Sequence, residues 1–68
     1  MNVVVNGEPR QLPGGATVAG VIEMLQVTPG ARGVAVAVDG EVVARSRWTD
    51  TELCEGSVVE VLAAIQGG

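Results

Sequence analysis

The chain has 68 residues, 47% of them hydrophobic, with eight acids against four arginines and a net charge of -4. That length suits one small domain, which buries about 60% of the surface its unfolded chain exposes and leaves no room for a deep catalytic cleft beside the core. The hydrophobic content excludes an intrinsically disordered chain, and the negative field disfavours nucleic acid and anionic membranes as partners.

Met1 to Val5 is β-branched and apolar, and Asn6-Gly7 supplies two residues that tolerate positive φ in a type I′ turn, so a hairpin is expected there. Glu8 to Leu12 is the return strand. Pro9 places it at a sheet edge, because proline cannot donate a ladder hydrogen bond. Pro13-Gly14-Gly15 closes the hairpin and reads as a turn, since no strand-loop-helix with a lysine surrounds it to make a phosphate cradle.

Thr17 is the expected N-cap of the one helix, with Val18, Val21, Ile22 and Leu25 at the i, i+3, i+4, i+7 spacing of a single face. Gly20 costs that helix about 1 kcal/mol relative to alanine, which makes it dependent on packing against a sheet. Pro29-Gly30 ends the segment, and the loop to Gly33 is expected to be exposed.

Val34 to Val38 is apolar at every position, the pattern of a central strand covered at least partly on each face. Asp39-Gly40 repeats the hairpin signal, Glu41-Val42-Val43 begins its partner strand, and Ser46 to Leu53 shows no clear period. Glu55-Gly56 is a further turn before the last strand, Val58 to Leu62. The order ββαβββ predicts an α+β layer pair, one helix on a four- or five-stranded sheet. The folded domain is expected over 1–64 and a mobile tail over 65–68.

The chemistry available in side chains is sparse. There is no histidine, lysine or tyrosine, so Ser46, Ser57 and Cys54 have no candidate base except a carboxylate. A single cysteine cannot form an internal disulfide, which points to the cytoplasm, and Cys54 is expected to be a small buried residue. The acids do not follow a calcium-loop pattern, so no metal site is expected. No apolar run reaches the ~20 residues of a membrane span, and Met1 to Asn6 lacks a basic signal-peptide start. These features argue against a free-standing enzyme.

The end of the sequence, Ile65-Gln66-Gly67-Gly68, offers a different chemistry. Two final glycines arise by chance roughly once in 200 chains at ~7% glycine usage, and lacking Cβ they let a partner's backbone approach closely. A free carboxylate on Gly68 is a poor electrophile until ATP converts it to an acyl-adenylate, from which AMP leaves when a nucleophile attacks. With sulfur as the nucleophile the product is a thiocarboxylate.

Val36-Ala37-Val38-Asp39-Gly40-Glu41-Val42-Val43, Arg45-Ser46-Arg47-Trp48, then Leu53, Gly56, Val58, Val61 and Gly67-Gly68 together resemble the sulfur carrier proteins of thiamine biosynthesis, the ThiS type. The resemblance spans nearly the whole chain. It implies a ubiquitin-like β-grasp fold, with the first and last strands parallel at the sheet centre. It implies a non-catalytic carrier that binds no cofactor and whose Gly68 is modified, with Ile65, Gln66 and Gly67 threading a partner's active site. The partners it implies are an E1-like adenylyltransferase of the ThiF type, which uses ATP, a thiazole synthase of the ThiG type, and a sulfur donor such as a cysteine desulfurase.

Ala44 stands where relatives often carry proline, and Ser57 where an acid commonly follows the glycine; both departures touch only local turn geometry. Trp48, the sole aromatic, is read either as a cap on the valine-rich core or as a contact for a partner. Three alternatives remain open on sequence alone: a small subunit of molybdopterin synthase, a carrier for another sulfur pathway, and a plain β-grasp binding module with an inert end.

Overall fold

In a computed structural model of the protein, which describes residues 1–25 and 33–63, five strands form one mixed sheet and a single α-helix packs on one face. The strands are β1 (Asn2–Val5), β2 (Glu8–Gln11), β3 (Val34–Val38), β4 (Glu41–Val43) and β5 (Val58–Ala63); the helix, α1, spans Val18–Met24. They lie in the order β2-β1-β5-β3-β4. β1 and β5 pair in parallel, and all the other neighbours are antiparallel.

Both expected hairpins form, and their turns show why the residues were legible. Asn6 and Gly7 adopt φ of 50° and 82°, and Asp39 and Gly40 adopt 50° and 85°. Two consecutive positive φ values define a type I′ turn, whose twist matches that of the flanking strands. Pro9 lies on β2, an outer edge of the sheet, opposite Val4.

Strand alternation divides the sheet into a covered and an open face. Val3 and Val5 of β1, Val36 of β3, and Val59 and Val61 of β5 are buried with Val18, Val21 and Ile22 of α1. On the other face Val58, Leu62 and Val42 are 44%, 67% and 80% exposed. The expected cover on each face of β3 is complete only on the helix side. Ala35 is exposed and Ala37 half-buried, because the described residues place no second layer over that face.

The helix is held mainly from outside itself. Its first N–H groups have no intrahelical acceptor. The N–H of Val18 donates to the Thr51 carbonyl at 3.0 Å, that of Ala19 to the Trp48 carbonyl at 3.0 Å, and that of Gly20 to Oγ1 of the N-cap Thr17 at 3.3 Å. The stretch with no clear period supplies two of those acceptors. A short 3₁₀ helix at Arg45–Arg47 leads into it, and an isolated bridge joins its Glu52 to Thr17.

Cys54 is exposed, which corrects the expectation of a buried thiol. The small buried residue of that turn is Ser57, 4% exposed, whose Oγ accepts a hydrogen bond from the Cys54 N–H at 2.9 Å. A hydroxyl with a partner inside the turn can be buried, whereas the thiol needs no partner and is turned outward. The Pro29-Gly30 turn and the loop before Gly33 lie outside the described residues, apart from Gly33 itself, which is exposed.

Candidate functional site at the end of strand β5

β5 runs through the middle of the sheet between β1 and β3 and leads directly toward the Gly-Gly end of the sequence. Ile65, Gln66, Gly67 and Gly68 themselves lie outside the described residues. What the structure describes is the base from which they extend.

Two turn residues, one on each side, hold β5: Asp39 at its first residue and Asn6 at its middle. Asp39 donates its N–H to the Val58 carbonyl at 2.8 Å and accepts the Val58 N–H on Oδ1 at 2.9 Å. Asn6 donates its N–H to the Val59 carbonyl at 2.9 Å and accepts the Val61 N–H on Oδ1 at 2.8 Å. Each hairpin turn thus carries a short polar side chain that tolerates positive φ and also reaches β5. Sequence reading assigned Asn6 and Asp39 to the turns alone. Their type marked a turn residue, but nothing local marked a contact with a strand 19 and 55 residues further on.

A further tie holds the turn that leads into β5. The Asn2 N–H donates to Oε1 of Glu55 at 3.0 Å, and the Gly56 N–H donates to the Asn2 carbonyl at 2.7 Å. The Glu55 carboxyl is held below its usual range, chiefly by that backbone hydrogen bond from Asn2.

Trp48 belongs to the core, 5% exposed, with its indole N–H donating to the Val43 carbonyl at 3.0 Å. The Arg45 guanidinium stands 5.4 Å from its ring centroid. Of the two roles read from sequence, the structure gives it the packing one. Its remaining surface faces a depression of about 300 Å³ lined by Ala19, Ile22, Glu23, Arg45 and Thr49.

A five-stranded mixed sheet with its last strand central and parallel to its first, and one helix across one face, defines a β-grasp domain of the ubiquitin-like kind. The ThiS family model matches residues 3–68. The chain belongs to the ThiS family. It is 42% identical to the sulfur carrier protein ThiS of Thermus thermophilus over 66 residues, covering 97% of this chain and 98% of that protein. A crystal structure of the thiamine biosynthesis protein ThiS from Geobacter metallireducens superposes with a TM-score of 0.80 at 33% identity, covering all of both chains. A solution structure of a thiamine biosynthesis protein from the same organism gives 0.78 at 34% identity, covering all of this chain and 88% of that one.

Proposed function

We propose that the protein carries sulfur on the carboxylate of Gly68 for assembly of the thiazole ring of thiamine. The observation that carries this reading is the family match, which spans residues 3–68 and so includes Gly67 and Gly68. The relative from Thermus thermophilus is named a sulfur carrier protein, and the two Geobacter metallireducens structures are named for thiamine biosynthesis.

The cycle follows from the electrophilicity of a carboxylate. An oxygen of the Gly68 carboxylate attacks the α-phosphorus of ATP in a partner adenylyltransferase, and pyrophosphate leaves. A persulfide sulfur, supplied by a donor such as a cysteine desulfurase, then attacks the acyl carbon and AMP leaves; a thiol cleaves the S–S bond of the resulting acyl disulfide, forming a new disulfide and freeing the thiocarboxylate. The resulting thiocarboxylate delivers its sulfur to thiazole synthase. The chain contributes no catalytic group to any of these steps; ATP is bound by the partner. Gln66 and Gly67, with Ile65 behind them, are the residues that enter the partner's active site, where the absence of a Cβ at Gly67 and Gly68 permits close approach.

Such a carrier works where its enzymes work, in the cytoplasm. Among the described residues no helix is long and apolar enough to cross a membrane. The reading is tested by incubating the protein with ATP, the adenylyltransferase and a sulfur donor and measuring its intact mass. Replacement of one oxygen by sulfur within the C-terminal peptide is expected. An unchanged mass with active enzymes, or full sulfur transfer by a chain lacking Gly68, would sink it.

A further inference from the structure

The backbone polar groups of β5 alternate between its two neighbours. Val58 exchanges hydrogen bonds with Asp39, so Val58, Glu60 and Leu62 turn their N–H and C=O groups toward β3. Val59, Val61 and Ala63 turn theirs the other way, as the bonds from Asn6 to Val59 and from Val61 to Asn6 show. On that side β1 pairs only at Val4↔Val58 and Val5↔Val59 and then turns away at Asn6-Gly7. β5 continues to Ala63, still in register with Val34 of β3. Among the described residues, the Val61 carbonyl and the Ala63 N–H therefore face no neighbouring strand.

β5 is thus a central strand that becomes an edge strand over its last residues. The two outer edges of the sheet are guarded in the usual ways: β2 carries Pro9 and Arg10, and β4 has three residues with Glu41 among them. The notch beside Val61 and Ala63 has neither proline nor charge, since the chain there reads Val61-Leu62-Ala63-Ala64-Ile65. Unguarded backbone of this kind is a template for strand addition.

We propose that this notch takes up, as an added strand, an extended backbone segment of the enzyme that adenylates the C-terminal carboxylate. The proposal rests on the reading of Gly68 as the modified residue. The occupant follows from reach: Gly68 is five residues beyond Ala63, and a fully extended chain spans at most about 3.6 Å per residue, or roughly 18 Å. An active site that holds Gly68 must have its walls within that distance of the notch. Ladder bonds to the Val61 carbonyl and the Ala63 N–H fix the direction in which the chain leaves the sheet. They read no side chain at these positions.

Ala63→Pro tests this, because it removes an N–H that faces the notch and none that faces β3, and proline is tolerated at a strand edge. Replacing the Leu62–Ala63 amide by an ester in a semisynthetic chain removes the same N–H and leaves the backbone otherwise unrestrained. With the adenylyltransferase, ATP-pyrophosphate exchange is expected to fall about tenfold in kcat/KM for the ester and by at least as much for Ala63→Pro. The Ala63 amide of the unmodified chain is expected to become protected from hydrogen exchange when the enzyme is added. Exchange by both variants within about twofold of the unmodified chain overturns the proposal. So does protection of Ala63 without enzyme, whether by a second copy of the chain or by its own residues. An unmodified chain that supports no exchange overturns the Gly68 reading and the notch proposal with it.

Discussion

Asn6 and Val61 are joined by a hydrogen bond of 2.8 Å from the Val61 N–H to the Asn6 Oδ1, across 55 residues of sequence. The same asparagine sits at φ 50°, where an L-residue other than Asn, Asp or Gly is strained. Two substitutions separate these contributions. Asn6→Gly relieves the backbone but deletes the acceptor, at about 1 kcal/mol, whereas Asn6→Ala adds left-handed strain of roughly another 1 kcal/mol. Melting temperatures are expected to fall in the order wild type, Asn6→Gly, Asn6→Ala, with each step about 4–8 °C for a domain of this size. A Gly variant as stable as wild type would show that the side-chain bond contributes nothing.

Trp48 is the largest side chain of a core otherwise built from aliphatic residues, and its indole N–H supplies a hydrogen bond to the Val43 carbonyl at 3.0 Å. Trp48→Phe keeps most of the volume and deletes the donor, so a loss of about 1–3 kcal/mol is expected. Trp48→Ala costs about 3–5 kcal/mol. A domain this small has only a few kcal/mol of net stability, so the alanine variant is expected to be largely unfolded at 25 °C. Urea titration followed by far-ultraviolet circular dichroism distinguishes the two, since the fluorescence probe is lost in both.

Glu55 makes stability pH-dependent with a definite sign. Its carboxyl is held below the ordinary value of 4.5, first by the backbone hydrogen bond from Asn2, which outweighs the opposing effect of desolvation, and then by the Asn2 side chain and the N-terminal charge. A carboxyl whose folded pKa is depressed binds its proton more readily in the unfolded chain. The stabilisation is present above pH 4.5 and is lost as pH falls through the folded value below it. Glu55→Gln removes this titration, so thermal melts from neutral pH downward should show wild type more stable at neutral pH and the difference shrinking below pH 4.5. A difference independent of pH would show that the Asn2 hydrogen bond does not favour the charged carboxylate over the protonated one.

The parts of this fold legible in sequence are those with local causes. Asn6-Gly7 and Asp39-Gly40 announce their turns because few residue pairs accept two positive φ values, and Val18, Val21 and Ile22 announce a buried helix face by spacing alone. The segment from Ser46 to Leu53 has no period because its backbone serves other elements. The Trp48 and Thr51 carbonyls accept N–H groups from α1, and the Leu53 N–H donates to the Ala16 carbonyl at 2.9 Å. Cys54 was misplaced for a related reason: polarity ranks a thiol as more buried than a hydroxyl, but the Ser57 side chain is the one that the turn's backbone engages, through the Cys54 N–H. The chemistry of the candidate site was visible as Gly67-Gly68. Its mounting was not, since the Asn6 and Asp39 contacts with β5 are non-local.

At Gly20 the sequence works against its own structure without a visible return. It lies exposed in the first turn of α1, and its φ is not in the left-handed region. A Cβ built there would meet only the Thr17 Oγ1, at 3.8 Å, an ordinary van der Waals distance. The hydrogen bond from its N–H to that same oxygen uses the backbone and would survive an added methyl. Glycine is less favourable than alanine in a helix by about 0.8–1.0 kcal/mol, mostly through the freedom it gives the unfolded chain. Gly20→Ala is therefore expected to stabilise the domain by about 0.5–1 kcal/mol, raising the melting temperature by a few degrees with no change in the denaturant m-value. A destabilised Gly20→Ala variant would mean that the α1 surface around Gly20 approaches another part of the chain more closely than the described residues do.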